Sequence, residues 1–150
     1  MNISIQIGGL TGPLAAPRAG FFPAQAYDWD GMLVPTTVSS GGSVSSGAPK
    51  HKPILVTRAE DPATQTLLQN FITAATVGGS GGVTVAADYP NAAGVAQAAT
   101  FAMTNPRIVR MAFSAHAGGA DDVTEEVSFV YQQITITQQP SAATVAATVS

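Results

Sequence analysis

The amino-acid sequence predicts a mainly β protein, a small antiparallel β-barrel or sandwich with one flanking α-helix. Two observations lead to this fold class. Apolar and polar residues alternate in seven short segments, which is the period-two pattern of half-buried strands. A single segment, which follows residue 60, carries apolar residues at helical spacing. The 150 residues are enough for one domain with a hydrophobic core.

The early strands are predicted from their alternation. "NISIQI" places Ile3, Ile5 and Ile7 on one face, and two glycines end it. "AYDWDGMLV" is predicted as the second strand and "PILVTRA" as the third. Loops are predicted at 10–25, where prolines cluster, and at 35–49, which is rich in Ser and Gly. The later strands are predicted in "GVTVAA", "ATFAMT" and "RIVRMAFSA".

The helix has a clear start and a clear apolar stripe. Asp61 is a good N-cap, because its carboxylate can accept from the free N–H groups of the first turn. Pro62 suits the first helical position, where its missing N–H costs nothing. Gly78 and Gly79 end the segment. Four residues are predicted to anchor the helix in the core: Leu67, Leu68, Phe71 and Ile72.

The segment "EEVSFVYQQITIT" changes the face that it buries. Its apolar residues fall first on odd positions, up to Tyr131, and then on even ones, Ile134 and Ile136. A strand that turns a barrel corner through a bulge would change parity in this way, so a corner is predicted at Gln132–Gln133. A second interpretation, compatible with the corner, is that Ile134 and Ile136 face a neighbouring subunit.

The charge content is low, at 10% against about 25% in typical soluble domains. Either the free surface is built of small polar residues, or neighbouring subunits cover much of it. The net charge of -3 argues against a nucleic-acid partner, which would need clustered Lys and Arg. No membrane span and no secretory signal are predicted, so the default location is cytoplasmic.

The sequence offers no constellation for catalysis or for metal binding. Cysteine is absent, and His51 and His116 are predicted to be solvated. The acidic cluster of Asp121–Asp122 and Glu125–Glu126 lacks the spacing of a calcium loop and is interpreted as a solvated turn. The protein is therefore predicted not to be an enzyme and to hold no cofactor.

The order of these parts resembles a known family. "PILVTRAEDPATQTLLQNFITAA" is a strand followed by a helix capped by Asp–Pro, and "EEVSFVYQQITIT" is an acidic pair before a long strand with a parity switch. Together they resemble the Hcp family, the inner-tube proteins of type VI secretion systems, which are related in fold to phage tail-tube proteins. The resemblance covers roughly residues 2–137.

The resemblance implies a β-barrel subunit that forms six-membered rings. The rings would stack into a hollow tube inside a contractile sheath and leave the cell with effectors, without a signal peptide. The implied partners are other copies of the chain and, further, sheath, spike and effector proteins. Residues 1–137 would form the tube-type domain and 138–150 a C-terminal extension. In the family an extended loop after the second strand reaches the next ring, which assigns ring stacking to Val38, Ser39, Ser40, Gly41, Gly42, Ser43, Val44, Ser45 and Ser46.

Four alternatives stay open at the level of sequence. A tube of another contractile injection system, or an extracellular filament of the same fold, would share these features. A secreted β-sandwich binding module would need an exposed aromatic cluster, for which the candidates are Phe21–Phe22, Tyr27, Trp29 and Tyr89. A hydrolase would need an acid, base or nucleophile constellation that the sequence does not display.

Overall fold

The structure, a computed structural model, describes residues 1–33, 35–48, 50–115, 117, 123–140 and 143–148. Within these ranges the chain forms fourteen strands, one α-helix and one short 3-10 turn at Gly79–Gly81. The elements are β1 Asn2–Ile7, β2 Phe22–Ala24, β3 Ala26–Trp29, β4 Met32–Leu33, β5 Thr36–Val38, β6 Val44–Ser46, β7 Lys50–His51, β8 Ile54–Ala59, α1 Ala63–Ile72, β9 Val83–Pro90, β10 Ala96–Thr104, β11 Arg107–Ala115, β12 Val123–Val130, β13 Gln133–Gln139 and β14 Ala143–Thr148.

Ten of these strands form two antiparallel sheets. The larger sheet has the order β14-β13-β10-β9-β1-β2, and the smaller has the order β11-β12-β8-β3. Apolar side chains from both sheets, such as Ile5 and Phe101 from the larger and Val56 and Phe129 from the smaller, share one core. The mainly β prediction with one helix is confirmed in its sandwich form, since these ten strands form two sheets and not one closed barrel.

The predicted corner is the passage between the two sheets. β12 belongs to the smaller sheet and ends at Val130, whereas β13 belongs to the larger sheet and begins at Gln133. The segment predicted as one bent strand is therefore two strands. Tyr131 and Ile134 are both buried in the shared core, so the inward parity changes where the chain crosses. Ile134 is fully buried within the subunit, so the interpretation that it faces a neighbouring subunit is wrong. Ile136 is partly buried and packs against the same core.

The helix begins at Ala63, one residue later than predicted, and packs against β11. The Asp61 carboxylate accepts a hydrogen bond from the Ala63 N–H at 2.8 Å. In return, the Asp61 N–H donates to the Thr64 hydroxyl at 3.1 Å. This reciprocal pair satisfies donors that a helix start leaves without partners.

The four predicted anchors of the helix do not share one environment. Leu67 is fully buried, Phe71 packs partly buried against the core, and Leu68 is half-buried. Ile72 is not a core anchor, because 70% of its side chain is exposed. It lies about 140° around the helix from Leu67, outside the stripe that faces β11.

The C-terminal segment continues the larger sheet. β14 pairs with β13 from Gln133↔Thr148 to Gln138↔Ala143, and it forms the sheet edge. Ala147 packs against the core, which explains how a low-complexity sequence becomes ordered. The division of the chain at residue 137 stays a prediction. Residues on both sides of it belong to the larger sheet.

Candidate functional site: a hairpin arm

The segment predicted as a loop at 35–49 forms a two-stranded hairpin arm between β3 and β8. Its lower ribbon pairs Met32 with His51, and its upper ribbon pairs Thr36–Val38 with Val44–Ser46. We call the described residues of 32–51 the arm. The prediction of an irregular loop was wrong, because Thr and Val flank a Ser/Gly turn and their backbones pair across it.

The tip of the arm is held by its own hydrogen bonds. The Ser39 N–H donates to the Ser43 carbonyl and the Gly42 N–H donates to the Ser39 carbonyl, both at 2.9 Å. The two serine hydroxyls lie 2.6 Å apart. Gly42 has φ of +82°, a conformation that other residues adopt at a cost. The hydrogen bonds of the turn therefore order the tip without a partner surface.

The arm presents an uncharged and partly apolar surface. All nine residues assigned to stacking, 38–46, are exposed. Val38 and Val44 are direct cross-strand partners, and they are 69% and 64% exposed. Partners in register place their side chains on one face of the ribbon, so the two valines form a single apolar pair. No residue from 35 to 48 carries a charge.

The root of the arm is fixed by an aromatic junction. The Trp29 indole N–H donates to the Tyr131 hydroxyl at 3.0 Å, and that hydroxyl donates to the Lys52 carbonyl at 3.0 Å. Burial raises the pKa of Tyr131, although the bond from Trp29 opposes this, so the hydroxyl keeps the proton that it donates. We call Trp29, Tyr131 and the Lys52 carbonyl the root junction.

His51 belongs to the surroundings of this junction and is not the solvated histidine that the sequence predicted. Its ring centroid lies 5.3 Å from that of Tyr131, and the residue is half-buried. Neither ring nitrogen has a hydrogen-bond partner within the described part of the chain. The ring therefore acts as a packing group. His116 lies outside the described residues.

The acidic cluster divides into two environments. Glu125 is fully buried and forms an ion pair with the fully buried Arg58, with Nε 3.1 Å from Oε1. Arg58 also contacts the Asp61 carboxylate and lies over the Phe22 ring at 5.4 Å. The prediction of a solvated turn was wrong for Glu125. Asp121 and Asp122 lie outside the described residues.

The sequence did contain a signal for this buried pair. Glu125 shares the parity of the buried Val127 and Phe129, and Arg58 shares the parity of the buried Ile54 and Val56. Glu126, one residue later, points outward and pairs with the exposed Arg110 at 3.2 Å. Burial raises the pKa of Glu125, against the opposing effects of Thr64 and Arg58.

A groove of about 1170 Å³ lies on the described surface. It lies among the N-terminal strand, residues 14–18, β2 and the β9–β10 turn. Arg18 and Asp88 form a two-pronged hydrogen-bonded pair on its wall, at 2.8 and 2.7 Å. The pair fixes the 14–18 segment to β9, and its two charges balance.

Charge is distributed unevenly between the two sheets. Asp88 is the one charged residue in the six strands of the larger sheet, as the described residues define them. The smaller sheet, with fewer residues, carries six: Asp28, Arg58, Arg107, Arg110, Glu125 and Glu126. The larger sheet is therefore close to neutral over its whole extent.

No three His, Asp or Glu side chains in the described part lie close enough together to hold a metal ion. No helix there combines the length and apolar composition that crossing a membrane requires.

The aromatic candidates for a binding surface are mostly inside the protein. Phe21 and Phe22 are buried. Tyr27 and Trp29 pack on Phe101, with ring centroids 5.2 and 5.6 Å from it. Four of the five side chains that a sugar-binding groove would need are thus engaged in the core or beside it.

Comparison with known proteins gives one family match. The profile of the family described as "Type VI secretion system effector, Hcp" matches residues 5–138. A search of curated protein sequences finds no significant match.

Solved structures share the fold at low identity. The Hcp1 protein of the E. coli EAEC 042 pathovar is 16% identical, with a TM-score of 0.71 over 99% of this chain and 98% of that one. The secreted protein Hcp3 from Pseudomonas aeruginosa is 16% identical, with a TM-score of 0.64 over 99% and 98%. A chain of the anti-feeding prophage baseplate is 12% identical, with a TM-score of 0.56 over 90% of each. The chain therefore belongs to the Hcp family of type VI secretion proteins, as a structural tube subunit.

Proposed function

We propose that this tube subunit assembles into six-membered rings and that the arm joins each ring to the next. The observation that carries the proposal is the exposed Val38–Val44 pair on an uncharged hairpin that stands away from the core. An apolar pair of this kind gains stability when a partner surface covers it. The related baseplate chain comes from a structure treated with 6-fold symmetry, which supports the ring size.

The expected contribution of one arm is small, and the contribution of a ring of arms is large. Covering the exposed part of one valine is worth on the order of 1 to 2 kcal/mol. Each ring would present several arms at once, and each contact after the first forms within an already joined pair of rings. Weak contacts of this kind therefore suffice for a stable tube that still assembles reversibly.

The wider role follows from the family. The subunit would be made in the cytoplasm, exported without a signal peptide, and placed outside the cell when the tube is assembled or fired. Sheath, spike and effector proteins would be its further partners. The role is structural and not enzymatic, and neither nucleic acid nor membrane binding is part of it. The low charge content agrees with a surface that other subunits largely cover.

The test replaces the apolar pair and leaves the hairpin backbone unchanged. The variant Val38→Ser with Val44→Ser should retain single rings and lose long tubes, as seen by negative-stain electron microscopy and light scattering. The matched control is Val95→Ser, which changes a valine that is 51% exposed outside the arm. Long tubes in the double variant would refute the stacking role. Loss of the rings would instead assign the arm to the contact within a ring.

A further inference from the structure

We propose that the Tyr131 hydroxyl is a positioning group that sets the direction of the arm. Its effect on the isolated subunit is independent of the arm's role. Its consequence for tubes rests on the proposed function. The inference starts from how the arm is attached: one strand leads into it after Trp29, and one strand leaves it before Lys52.

A single oxygen atom contacts both of these strands. The Tyr131 hydroxyl accepts from the indole of Trp29, on the incoming side, and donates to the carbonyl of Lys52, on the outgoing side. Both hydrogen bonds are 3.0 Å long. Because one hydroxyl uses its donor and an acceptor position together, the two sides of the root are fixed relative to a common point.

The Tyr131 side chain is itself held in place by burial and packing. Tyr131 is 6% exposed and directly follows β12, where the chain crosses between the sheets. Trp29 packs edge-on against Phe101 of the larger sheet, and the His51 ring packs against Tyr131. The root junction thus fixes the direction of the arm relative to both sheets.

The upper ribbon of the arm lies out in solvent. Every described residue from 36 to 48 is exposed, so the upper ribbon takes no direction from packing on the body. Below it, the Lys52 N–H donates to the Gly31 carbonyl at 3.0 Å, which closes the root but links the two strands only to each other. The orientation of the tip is therefore decided at the root junction.

A small tilt at the root junction would produce a large displacement at the tip of the arm. About nine residues separate Trp29 from the tip, and full extension would place the tip at most about 30 Å away. A tilt of about 10° at the root would then move the tip by up to about 5 Å, which exceeds the tolerance of a specific hydrogen-bonded contact with a partner. Loss of the hydroxyl should accordingly disturb contacts that lie far from it.

The experiment compares Tyr131→Phe with Tyr27→Phe. The first variant removes both hydrogen bonds and retains the ring. The second removes a tyrosine hydroxyl from the strand that carries Trp29, and its ring packs on Phe101 as before. Amide hydrogen exchange is measured on rings separated from tubes. In Tyr131→Phe, the amides of residues 31–33 and 50–52 should exchange about tenfold faster, the factor expected for lost hydrogen bonds of ordinary strength. In Tyr27→Phe they should not change.

The same rings are then examined for tube formation. Tyr131→Phe should retain rings but give short or irregular tubes, whereas Tyr27→Phe should give normal ones. Unchanged exchange at the arm root in Tyr131→Phe would overturn the positioning role. Faster exchange with normal tubes would leave that role standing and would refute the stacking role of the arm instead.

A second variant guards against a failure of Tyr131→Phe to fold. Trp29→Phe removes the indole N–H donor on the incoming strand, with part of the ring, and leaves the bond from Tyr131 to Lys52. It should speed exchange at 31–33 more than at 50–52. Equal acceleration of exchange at 31–33 and 50–52, or no acceleration relative to Tyr27→Phe, would contradict the role of the Tyr131 hydroxyl in joining the two strands.

Discussion

Arg58 and Glu125 are direct cross-strand partners on β8 and β12, and both side chains are fully buried. The guanidinium also contacts Asp61 at the start of the helix. One arginine thereby links two strands of the smaller sheet to the cap of α1. Charges removed from water in this way are stable only while each keeps its partner.

Removal of Glu125 should therefore be strongly destabilising. We expect Glu125→Ala to lower the free energy of unfolding by about 3 kcal/mol, because it leaves the buried Arg58 with Asp61 alone. The neighbouring Glu126→Ala is the matched control. It breaks an exposed pair, 58% and 43% accessible, and should change stability by less than about 0.5 kcal/mol. Urea denaturation of both variants measures the difference, and equal losses would contradict the burial of Glu125.

The stability of the protein should also depend on pH through Glu125. Burial raises the pKa of Glu125 above its ordinary value of 4.5, so the folded state holds this proton more tightly than the unfolded state. The associated stability is fully present below 4.5 and is lost as pH rises through the folded pKa. Relative to Glu125→Gln, the wild-type protein should become more stable as pH falls from about 7 towards that value.

The comparison with Glu125→Gln isolates this group, because the other carboxylates titrate in both proteins. Denaturation midpoints at a series of pH values give the result. A difference between the two proteins that stays constant, or that falls on acidification, would show that burial does not raise the pKa of Glu125.

The helix offers a further pair of matched substitutions. Leu67→Ala should cost about 2–5 kcal/mol, since it removes a fully buried side chain and leaves a cavity. Ile72→Ala, five residues later, removes a side chain that is 70% exposed and should change stability by less than about 0.5 kcal/mol. Thermal unfolding of isolated rings provides the measurement. A large loss in Ile72→Ala would place that residue in a contact between subunits.

Elements were predicted correctly from the sequence where the local pattern of apolar and polar residues matches the pattern of burial. The alternation of Ile3, Ile5 and Ile7 matches the inward face of β1, and Asp61 caps the helix by the bond that its position suggested. The crossing near Gln132 was located from parity alone. In each case a short range of neighbouring residues contains the whole signal.

The features that were missed depend on contacts distant in sequence or on weak local preferences. The arm has strands of two or three residues, too short for alternation to be recognised, and its order comes from pairing across the turn. Glu125 followed the inward parity, but its charge suggested solvent, and only the partner at position 58 makes its burial tolerable. The root junction joins Trp29 to Tyr131 across 102 positions, which no local pattern indicates.

The near-neutral larger sheet has a consequence for how copies of this chain meet. Attraction between opposite charges accelerates diffusional encounter and weakens as ionic strength rises. A face with one charge, already balanced by Arg18, offers little of this attraction. Any association through that face should proceed without electrostatic acceleration. Its rate should depend on protein concentration and should change little with salt concentration. Such a subunit could assemble equally well in the interior of a cell and in a dilute or saline medium outside it.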